Sequence, residues 1–404
     1  MPVAMAIREA LGGQSMIRKM FEEGIMLKKQ HGADKVFDFS LGNPDLEPPP
    51  AFHRVFLKLA REDKKSSHGY MPNAGFPDVR EALSRKASAE QGVTIDGSHI
   101  VMSCGAAGGL NVVFKSILNS GDEVIVSKPY FMEYRPYTAN HGGRLVEVEA
   151  LPDFNLDLEA IRAKLSPKTA AVLINSPHNP TGRIYPKAAI AGLAAILAEH
   201  GKKCGRMPYL VSDEPYRELA YDGIEVPPVL SAYPESIVVS SYSKSLSLPG
   251  ERIGYIAVGP DAADKQTLVN AFIFATRTLG FVNAPALMQR IVAELCFARV
   301  DVDVYARRRG AFTGILDRAG IEYAKPEGAF YLFCKAPLCG AAPGANDAAF
   351  VDHLKKYLIL GVPGSGFGRP GWLRFAYCVD EKIIKASEAA FKKAMDEWVK
   401  QNND

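Results

Sequence analysis

Short apolar runs alternate with amphipathic stretches between about residues 95 and 260. The strand-like runs are DEVIVSKP, RLVEVEA, TAAVLINS, PYLVSDE, SIVVSSYS and RIGYIAVG. Several are continuously apolar, which is typical of strands that are buried on both faces of a sheet. The stretches between them, such as PKAAIAGLAAILAEHGKK, favour helices. This alternation predicts an α/β fold with an open, mostly parallel sheet flanked by helices.

The pattern changes near residue 290. A long charged helical pattern over 289–320 precedes the apolar runs GAFYLFCKAP and WLRFAYC, and a final helix is predicted over 380–401. This arrangement indicates a smaller α+β domain. The first 50 residues, which end in NPDLEPPP, resemble an extended arm. We therefore predict an N-terminal arm with part of the small domain over 1–50, a large domain over 51–290 and a C-terminal small domain over 291–404.

Composition and charge exclude several classes of protein. The 404 residues are 47% apolar and 23% charged, and the net charge of +3 indicates neither a nucleic-acid partner nor a membrane surface. No apolar run reaches the roughly 18 residues of a membrane helix, and the N-terminus lacks the apolar region of a signal peptide. Six scattered cysteines without a C-x-x-C pair predict no disulfides and a cytoplasmic location. The histidine spacing predicts no metal.

Polar residues follow several of the predicted strands. NSPHNPTG follows AVLI, SDEPY follows YLV, and SSYSK follows IVV. Ligands of open α/β sheets bind outside the carboxyl ends of the strands, so these side chains are expected to converge on one site. The expected set is Asn179, Asp213, Tyr216, Ser241, Lys244 and Arg252.

The chemistry of this set suits an aldehyde cofactor with a pyridine ring. The amine of Lys244 can form an imine with an aldehyde. Asp213 can keep a ring nitrogen protonated, while Asn179 and Tyr216 can donate hydrogen bonds to a phenolate oxygen. An aromatic ring over the cofactor is expected from KPYFMEY, with Phe131 preferred to Tyr130.

A phosphate tail on the same cofactor would find donors in three segments. The stretch SCGAAGGL predicts a helix start, where unpaired backbone N–H groups bind anions. Hydroxyl groups and a guanidinium complete such a site. The predicted phosphate ligands are Gly105, Ala106, Ala107, Ser241, Ser243 and Arg252.

The elements NPTG, DE-x-Y, S-x-S-K and R-x-G occur here in the order found in the class I/II aminotransferases, and the chain resembles this family from SLGNPD to GWLRFAYC. These are fold type I enzymes that depend on pyridoxal 5'-phosphate. The resemblance implies a seven-stranded, mostly parallel sheet in the large domain. It also implies a Schiff base between the cofactor and Lys244, with Asp213 and Tyr216 as further catalytic residues. In one departure, Glu251 stands where relatives commonly carry tryptophan.

The resemblance implies further contacts. Tyr70, in GYMPNAGFPDVREAL, would reach the phosphate in the neighbouring subunit, which implies a homodimer with shared sites. Arg374, in WLRF, would bind the substrate α-carboxylate as a planar fork, with Asn179 beside it and with Gly42 and Asn43 closing over it. Arg277 lies near the region where some aspartate enzymes carry an arginine for a distal carboxylate, although its spacing to NAP does not match cleanly.

The predicted function is transfer of the α-amino group of an L-amino acid to a 2-oxo acid, with 2-oxoglutarate as the expected acceptor. Aspartate, alanine and aromatic donors all remain open at this point. A C–S β-lyase or a β-decarboxylase would use the same cofactor and the same carboxylate site. A non-catalytic nucleotide-binding protein is a more remote alternative, because the chain lacks a dinucleotide-binding fingerprint.

Overall fold

The computed structural model describes residues 3–5, 7–8, 16–338 and 346–403. The strands are β1 Phe37–Asp38, β2 Ile100–Ser103, β3 Glu123–Lys128, β4 Arg144–Glu149, β5 Thr169–Asn175, β6 Tyr209–Asp213, β7 Ser236–Ser241, β8 Gly254–Val258, β9 Tyr323–Ala324, β10 Tyr331–Lys335, β11 Ile359–Leu360, β12 Val362–Pro363 and β13 Trp372–Ala376. The α-helices are Met16–His31, Pro50–Arg61, Pro77–Gln91, Gly105–Ile117, Tyr134–Ala139, Leu158–Lys164, Lys187–Cys204, Tyr242–Ser245, Lys265–Thr278, Ala286–Glu294, Val302–Ala319, Asn346–Lys355, Glu381–Ala386 and Glu388–Asn403.

A seven-stranded sheet forms the centre of the large lobe, in the order β2-β8-β7-β6-β5-β3-β4. β8 alone runs in the direction opposite to the other six strands, so the predicted α/β fold with a mostly parallel seven-stranded sheet is confirmed. All six predicted strand runs form strands of this sheet. The seventh, β2, was not among the predicted runs, because its four residues directly precede a helix and give little periodic signal.

Burial on both faces explains why the strand sequences are continuously apolar. Along β5, Val172 packs into the apolar layer on one side of the sheet, whereas Ala171 and Leu173 pack into the layer on the other side. Neighbouring strands alternate in the same way, since successive side chains of a strand point to opposite faces. Helices cover both layers, and the edge that carries the site is left open.

The small lobe contains a four-stranded antiparallel sheet in the order β12-β13-β10-β9. The N-terminal segment joins this lobe, because β1 pairs in parallel with β11 and Phe39 packs against Phe312 with ring centroids 4.5 Å apart. Within this N-terminal segment a helix occupies Met16–His31. The domain boundaries themselves stay a prediction.

Two predicted helices are broken. The pattern over 289–320 forms Ala286–Glu294 and Val302–Ala319, and the second helix starts where the Asp301 side chain accepts the backbone N–H of Asp303. The final helix is interrupted at Ser387, whose buried hydroxyl donates to the carbonyl of Ile384 at 2.7 Å. Helical periodicity continued across both breaks, so the sequence pattern alone did not reveal them.

Some sequence predictions concern absences. Within the described ranges no helix has the length and apolar character needed to cross a bilayer. The same residues contain no group of three or more His, Cys, Asp or Glu arranged to hold a metal ion. Cys339 lies outside the described residues, and the other five cysteines are free thiols.

Candidate active site

A cleft of about 260 Å³ opens at the carboxyl edge of the large sheet, where the small lobe meets it. β8 runs in the opposite direction, so its first residue lies at this edge, and Arg252 just before it reaches the cleft. Twelve predicted site residues line the cavity: Gly42, Ala106, Ala107, Phe131, Asn179, Asp213, Tyr216, Ser241, Ser243, Lys244, Arg252 and Arg374.

Lys244 lies in a short helix that directly follows β7. Its Nζ donates a hydrogen bond of 2.7 Å to the carbonyl of Gly42 and lies 5.4 Å from the centroid of the Phe330 ring. Burial lowers the pKa of this amine from 10.5 to about 8. A substantial fraction is therefore neutral near pH 8, and the neutral amine is the nucleophilic form.

Asp213 ends β6 with its two carboxylate oxygens in different environments. Oδ2 accepts a 2.6 Å hydrogen bond from the hydroxyl of Tyr134, whereas Oδ1 is buried without a hydrogen-bond partner. Burial raises the pKa of Asp213 to about 7; the Tyr134 bond opposes this shift, and the Glu214 charge adds to it. A buried carboxylate oxygen without a donor is unfavourable, and a protonated ring nitrogen would supply that donor.

Arg374, on β13, is 2% exposed, and its hydrogen-bond partners among the described residues are neutral. It donates to Asn179 Oδ1 at 3.0 Å and to the Ser40 carbonyl at 2.6 Å, while its Nε has no partner. Its guanidinium carbon lies 4.5 Å from the Tyr331 ring centroid and 4.8 Å from that of Phe367. A buried cation without a counter-ion is costly, so this site is suited to an anionic ligand.

The predicted phosphate site lies at the start of the helix Gly105–Ile117, where Cys104 provides no side-chain cap. The first backbone N–H groups of a helix have no internal partner and can bind an anion. A Cβ atom at Gly105 would lie 2.5 Å from Nη2 of Arg252, so a side chain at this position would displace the end of that arginine. The residue has φ +70, which also favours glycine.

Several residues of the site were missed from the sequence. Tyr134 and Tyr331 line the cleft, and Asn175 links two strand ends: its Nδ2 donates to the Asp213 carbonyl at 2.8 Å and its Oδ1 accepts the Asn179 N–H at 2.8 Å. Tyr134 follows Phe131 by three residues, a spacing that could have suggested one helical turn. Nothing local to Tyr331 indicates its position, because it is brought to the cleft by strand pairing.

Other predicted residues do not line this cleft. Tyr70 is 94% exposed, and Asn43 and Arg277 are also exposed. The guanidinium of Arg277 lies 5.4 Å from the ring centroid of Phe274 on the same helix. Tyr130 is buried and donates to Glu147, so Phe131 is the aromatic residue of this pair that faces the cavity.

Comparisons with known proteins agree with this geometry. Residues 34–389 match the sequence model of the family Aminotransferase class I and II. The chain is 31% identical over 373 residues to the aspartate/prephenate aminotransferase of Thermus thermophilus, covering 91% of this chain and 92% of that protein. It is 26% identical over 405 residues to aromatic-amino-acid aminotransferase 2 of Thermococcus litoralis, covering 98% and 99%.

Solved structures show the same architecture. An amino transferase from Eubacterium rectale has a TM-score of 0.93 and 37% identity, over 98% of this chain and 99% of that one. The aspartate aminotransferase of Thermus thermophilus with maleate has a TM-score of 0.83 and 28% identity, over 94% and 97%. These findings do not favour the lyase, decarboxylase and nucleotide-binding alternatives. The chain therefore belongs to the class I and II aminotransferases and is a pyridoxal-phosphate-dependent enzyme.

Proposed function

We propose that this aminotransferase moves the amino group of aspartate to 2-oxoglutarate, with Lys244, Asp213 and Arg374 as the central residues. One observation carries the site assignment: the Lys244 amine, the unpartnered Asp213 Oδ1 and the Arg374 guanidinium, whose partners among the described residues are neutral, share one cavity. The choice of aspartate is supported by the names of relatives such as the Thermus thermophilus enzyme. The cytoplasmic location stays a prediction.

Each residue has a distinct role in the proposed reaction. When bound, pyridoxal phosphate supplies an electrophilic aldehyde carbon and an electron-withdrawing ring. The Lys244 amine would hold the aldehyde carbon of the cofactor and would move the proton at the substrate Cα. Asp213 Oδ1 would accept a hydrogen bond from the ring N–H, and Arg374 would bind the α-carboxylate. Asn179 and Tyr216 would donate hydrogen bonds to the phenolate oxygen of the cofactor.

A panel of amino donors tests the proposed substrate. Aspartate, alanine and phenylalanine are each mixed with the holoenzyme, and the half-reaction is followed by the absorbance of the bound cofactor. We expect aspartate to react with the highest kcat/KM. A tenfold preference for alanine or phenylalanine would contradict the donor assignment and leave the reaction class intact. Release of pyruvate and ammonia from cysteine conjugates without an oxo-acid acceptor would instead indicate a lyase.

Arg374→Lys tests the carboxylate site. Lysine keeps the charge but loses the paired N–H groups of the planar fork, so the amino and oxo substrates should both bind more weakly. Loss of one charge-assisted hydrogen bond weakens binding roughly 10- to 100-fold, and we expect KM to rise by about that factor with a smaller effect on kcat. Steady-state kinetics measure both constants.

The control for Arg374→Lys is Arg162→Lys, which changes an arginine that is about half exposed and does not line the cleft. We expect the control to leave KM unchanged and both variants to keep the cofactor absorption. An unchanged KM in Arg374→Lys would remove this residue from the substrate site.

We further propose a homodimer in which Tyr70 serves the cofactor of the neighbouring subunit. The support is its 94% exposure and its absence from the cleft of its own chain. Hybrid dimers test the idea. A dimer of one Lys244→Ala subunit and one Tyr70→Ala subunit retains a complete site if Tyr70 acts between subunits, so it should regain about half the activity. No recovery in such hybrids would mean that Tyr70 acts within its own chain, whereas a fully active Tyr70→Ala homodimer would mean that Tyr70 does not act at the site.

A further inference from the structure

Tyr331 forms a buried hydroxyl pair with Tyr216. Tyr331 lies at the start of β10 in the small lobe, whereas Tyr216 follows β6 in the large lobe, and their hydroxyl oxygens are 2.7 Å apart. Both side chains are at most 5% exposed. Neither hydroxyl has a second hydrogen-bond partner within the described part of the chain. Each hydroxyl carries one hydrogen, so only one of the two can donate within this pair.

The proposed role of Tyr216 fixes the direction of this bond. If the Tyr216 O–H is donated to the phenolate oxygen of the cofactor, its hydrogen is not available to Tyr331. The oxygen of Tyr216 can still accept, and Tyr331 is the donor within reach. We infer that Tyr331 is a positioning residue, whose O–H donates to Tyr216 Oη and thereby directs the Tyr216 O–H towards the cofactor. This inference rests on the proposed function of Tyr216.

The ring of Tyr331 is held by contacts that do not need its hydroxyl. Its centroid lies 4.5 Å from the guanidinium carbon of Arg374, 5.0 Å from the Phe330 ring and 5.7 Å from the Tyr216 ring. Its phenol end also occupies the space that a Cβ atom would need at Gly42. Tyr331→Phe therefore removes the O–H and keeps the ring beside the carboxylate site.

Tyr331 contacts both a residue proposed to bind the substrate and a residue proposed to bind the cofactor. Its ring touches the arginine proposed for the substrate carboxylate, and its hydroxyl touches the tyrosine proposed for the cofactor. It packs against Gly42, whose carbonyl accepts a hydrogen bond from the Lys244 amine. One side chain thus connects the carboxylate site, the cofactor contact and the lysine, which no local sequence motif indicated.

The titratable and charged groups around the pair remain in the Phe variant. Arg374 and Cys378 face Tyr331, and Arg374 and Asp213 face Tyr216. Tyr134 approaches Tyr216 from the helix that carries it, and Lys244 lies over the adjacent Phe330 ring. A change in the pH behaviour of the bound cofactor in Tyr331→Phe therefore traces to the lost hydroxyl.

The test compares Tyr331→Phe, Tyr216→Phe and the double variant as holoenzymes. The readout is the pH midpoint at which the visible absorption of the bound cofactor changes. A donor at the phenolate oxygen stabilises the deprotonated chromophore, so its loss raises the midpoint. We expect Tyr331→Phe to raise the midpoint by less than Tyr216→Phe, and the double variant to match Tyr216→Phe alone. We also expect kcat of Tyr331→Phe to fall about 2- to 10-fold, as for one hydrogen bond, with KM for the donor nearly unchanged.

The matched control is Tyr305→Phe, which removes the hydroxyl of another buried tyrosine in the same apolar cluster. It should leave the midpoint unchanged, and thermal melts of all variants report folding. If Tyr216→Phe shifts the midpoint and a folded Tyr331→Phe does not, the inference is overturned while the role of Tyr216 stands. The inference is also overturned if the two single variants shift the midpoint equally and their shifts add in the double variant. No shift in Tyr216→Phe overturns both assignments.

Discussion

Lys244→Ala should lose the visible absorption of the bound cofactor and more than about 10³-fold of the transamination rate. The amine is the proposed point of covalent attachment and the group that moves the Cα proton, and a positioned general base alone contributes about 10² to 10⁴ in rate. Its Nζ donates to the Gly42 carbonyl, and no other lysine is among the residues that line the cleft, so no second amine is there to replace it. Absorption spectra and single-turnover kinetics measure both losses.

Lys244→Arg is the matched variant for this prediction. It keeps a positive charge in the cleft, so it separates covalent chemistry from electrostatics. We expect it to be as inactive as the alanine variant, because a guanidinium stays protonated and is not a nucleophile. Full turnover by either variant would refute the role of Lys244.

The wild-type amine also predicts a pH dependence for reconstitution. Burial is the main reason that its pKa is lowered to about 8, so the neutral form predominates above that pH. The rate at which cofactor-free protein captures pyridoxal phosphate should therefore rise with pH through about 8 and then level off. Stopped-flow absorbance measures this rate. A midpoint near 10.5 would mean that the amine is not desolvated.

Asp213→Asn is the second variant with a large expected effect. The amide keeps the size of the carboxylate but cannot hold a protonated ring nitrogen, so the ring withdraws electrons less well. We expect kcat to fall about 10²- to 10³-fold, the range found when one charge-stabilising group is removed, while the cofactor remains bound. Kinetics together with the absorption spectrum separate the two effects. Unchanged turnover would remove Asp213 from the mechanism.

The same variant should stabilise the cofactor-free protein. The folded pKa of Asp213 is about 7, above the ordinary value of 3.8, because burial disfavours the charged form. Ionising this group in the folded protein therefore costs stability, and the cost grows as pH rises from about 4 to 7. Asp213→Asn removes the cost, so its gain in melting temperature should be larger at pH 8 than at pH 5. An equal gain at both pH values would mean that burial does not raise the pKa of Asp213 in the folded protein.

The motifs at the strand ends were predictable because their polar residues directly follow apolar runs in the sequence. A continuously apolar run marks a buried strand, and the polar residue that follows it must lie at the edge of the sheet. Lys244 and Asp213 were found in this way, and both line the cleft. Elements with weak or continuous periodicity were less predictable, as the four-residue β2 and the helix break before Val302 show.

The sequence by itself determined the class of fold, the family and twelve of the residues that line the cleft. Only the tertiary structure decided that Asp213 Oδ1 is unpartnered, that Arg374 has neutral partners and that Tyr331 meets Tyr216. Such contacts join residues far apart in the chain, and Tyr331 and Tyr216 are separated by 115 positions. Their distances depend on how the two lobes pack and on the pairing of β10 with β13, and neither leaves a periodic or local signal in the sequence.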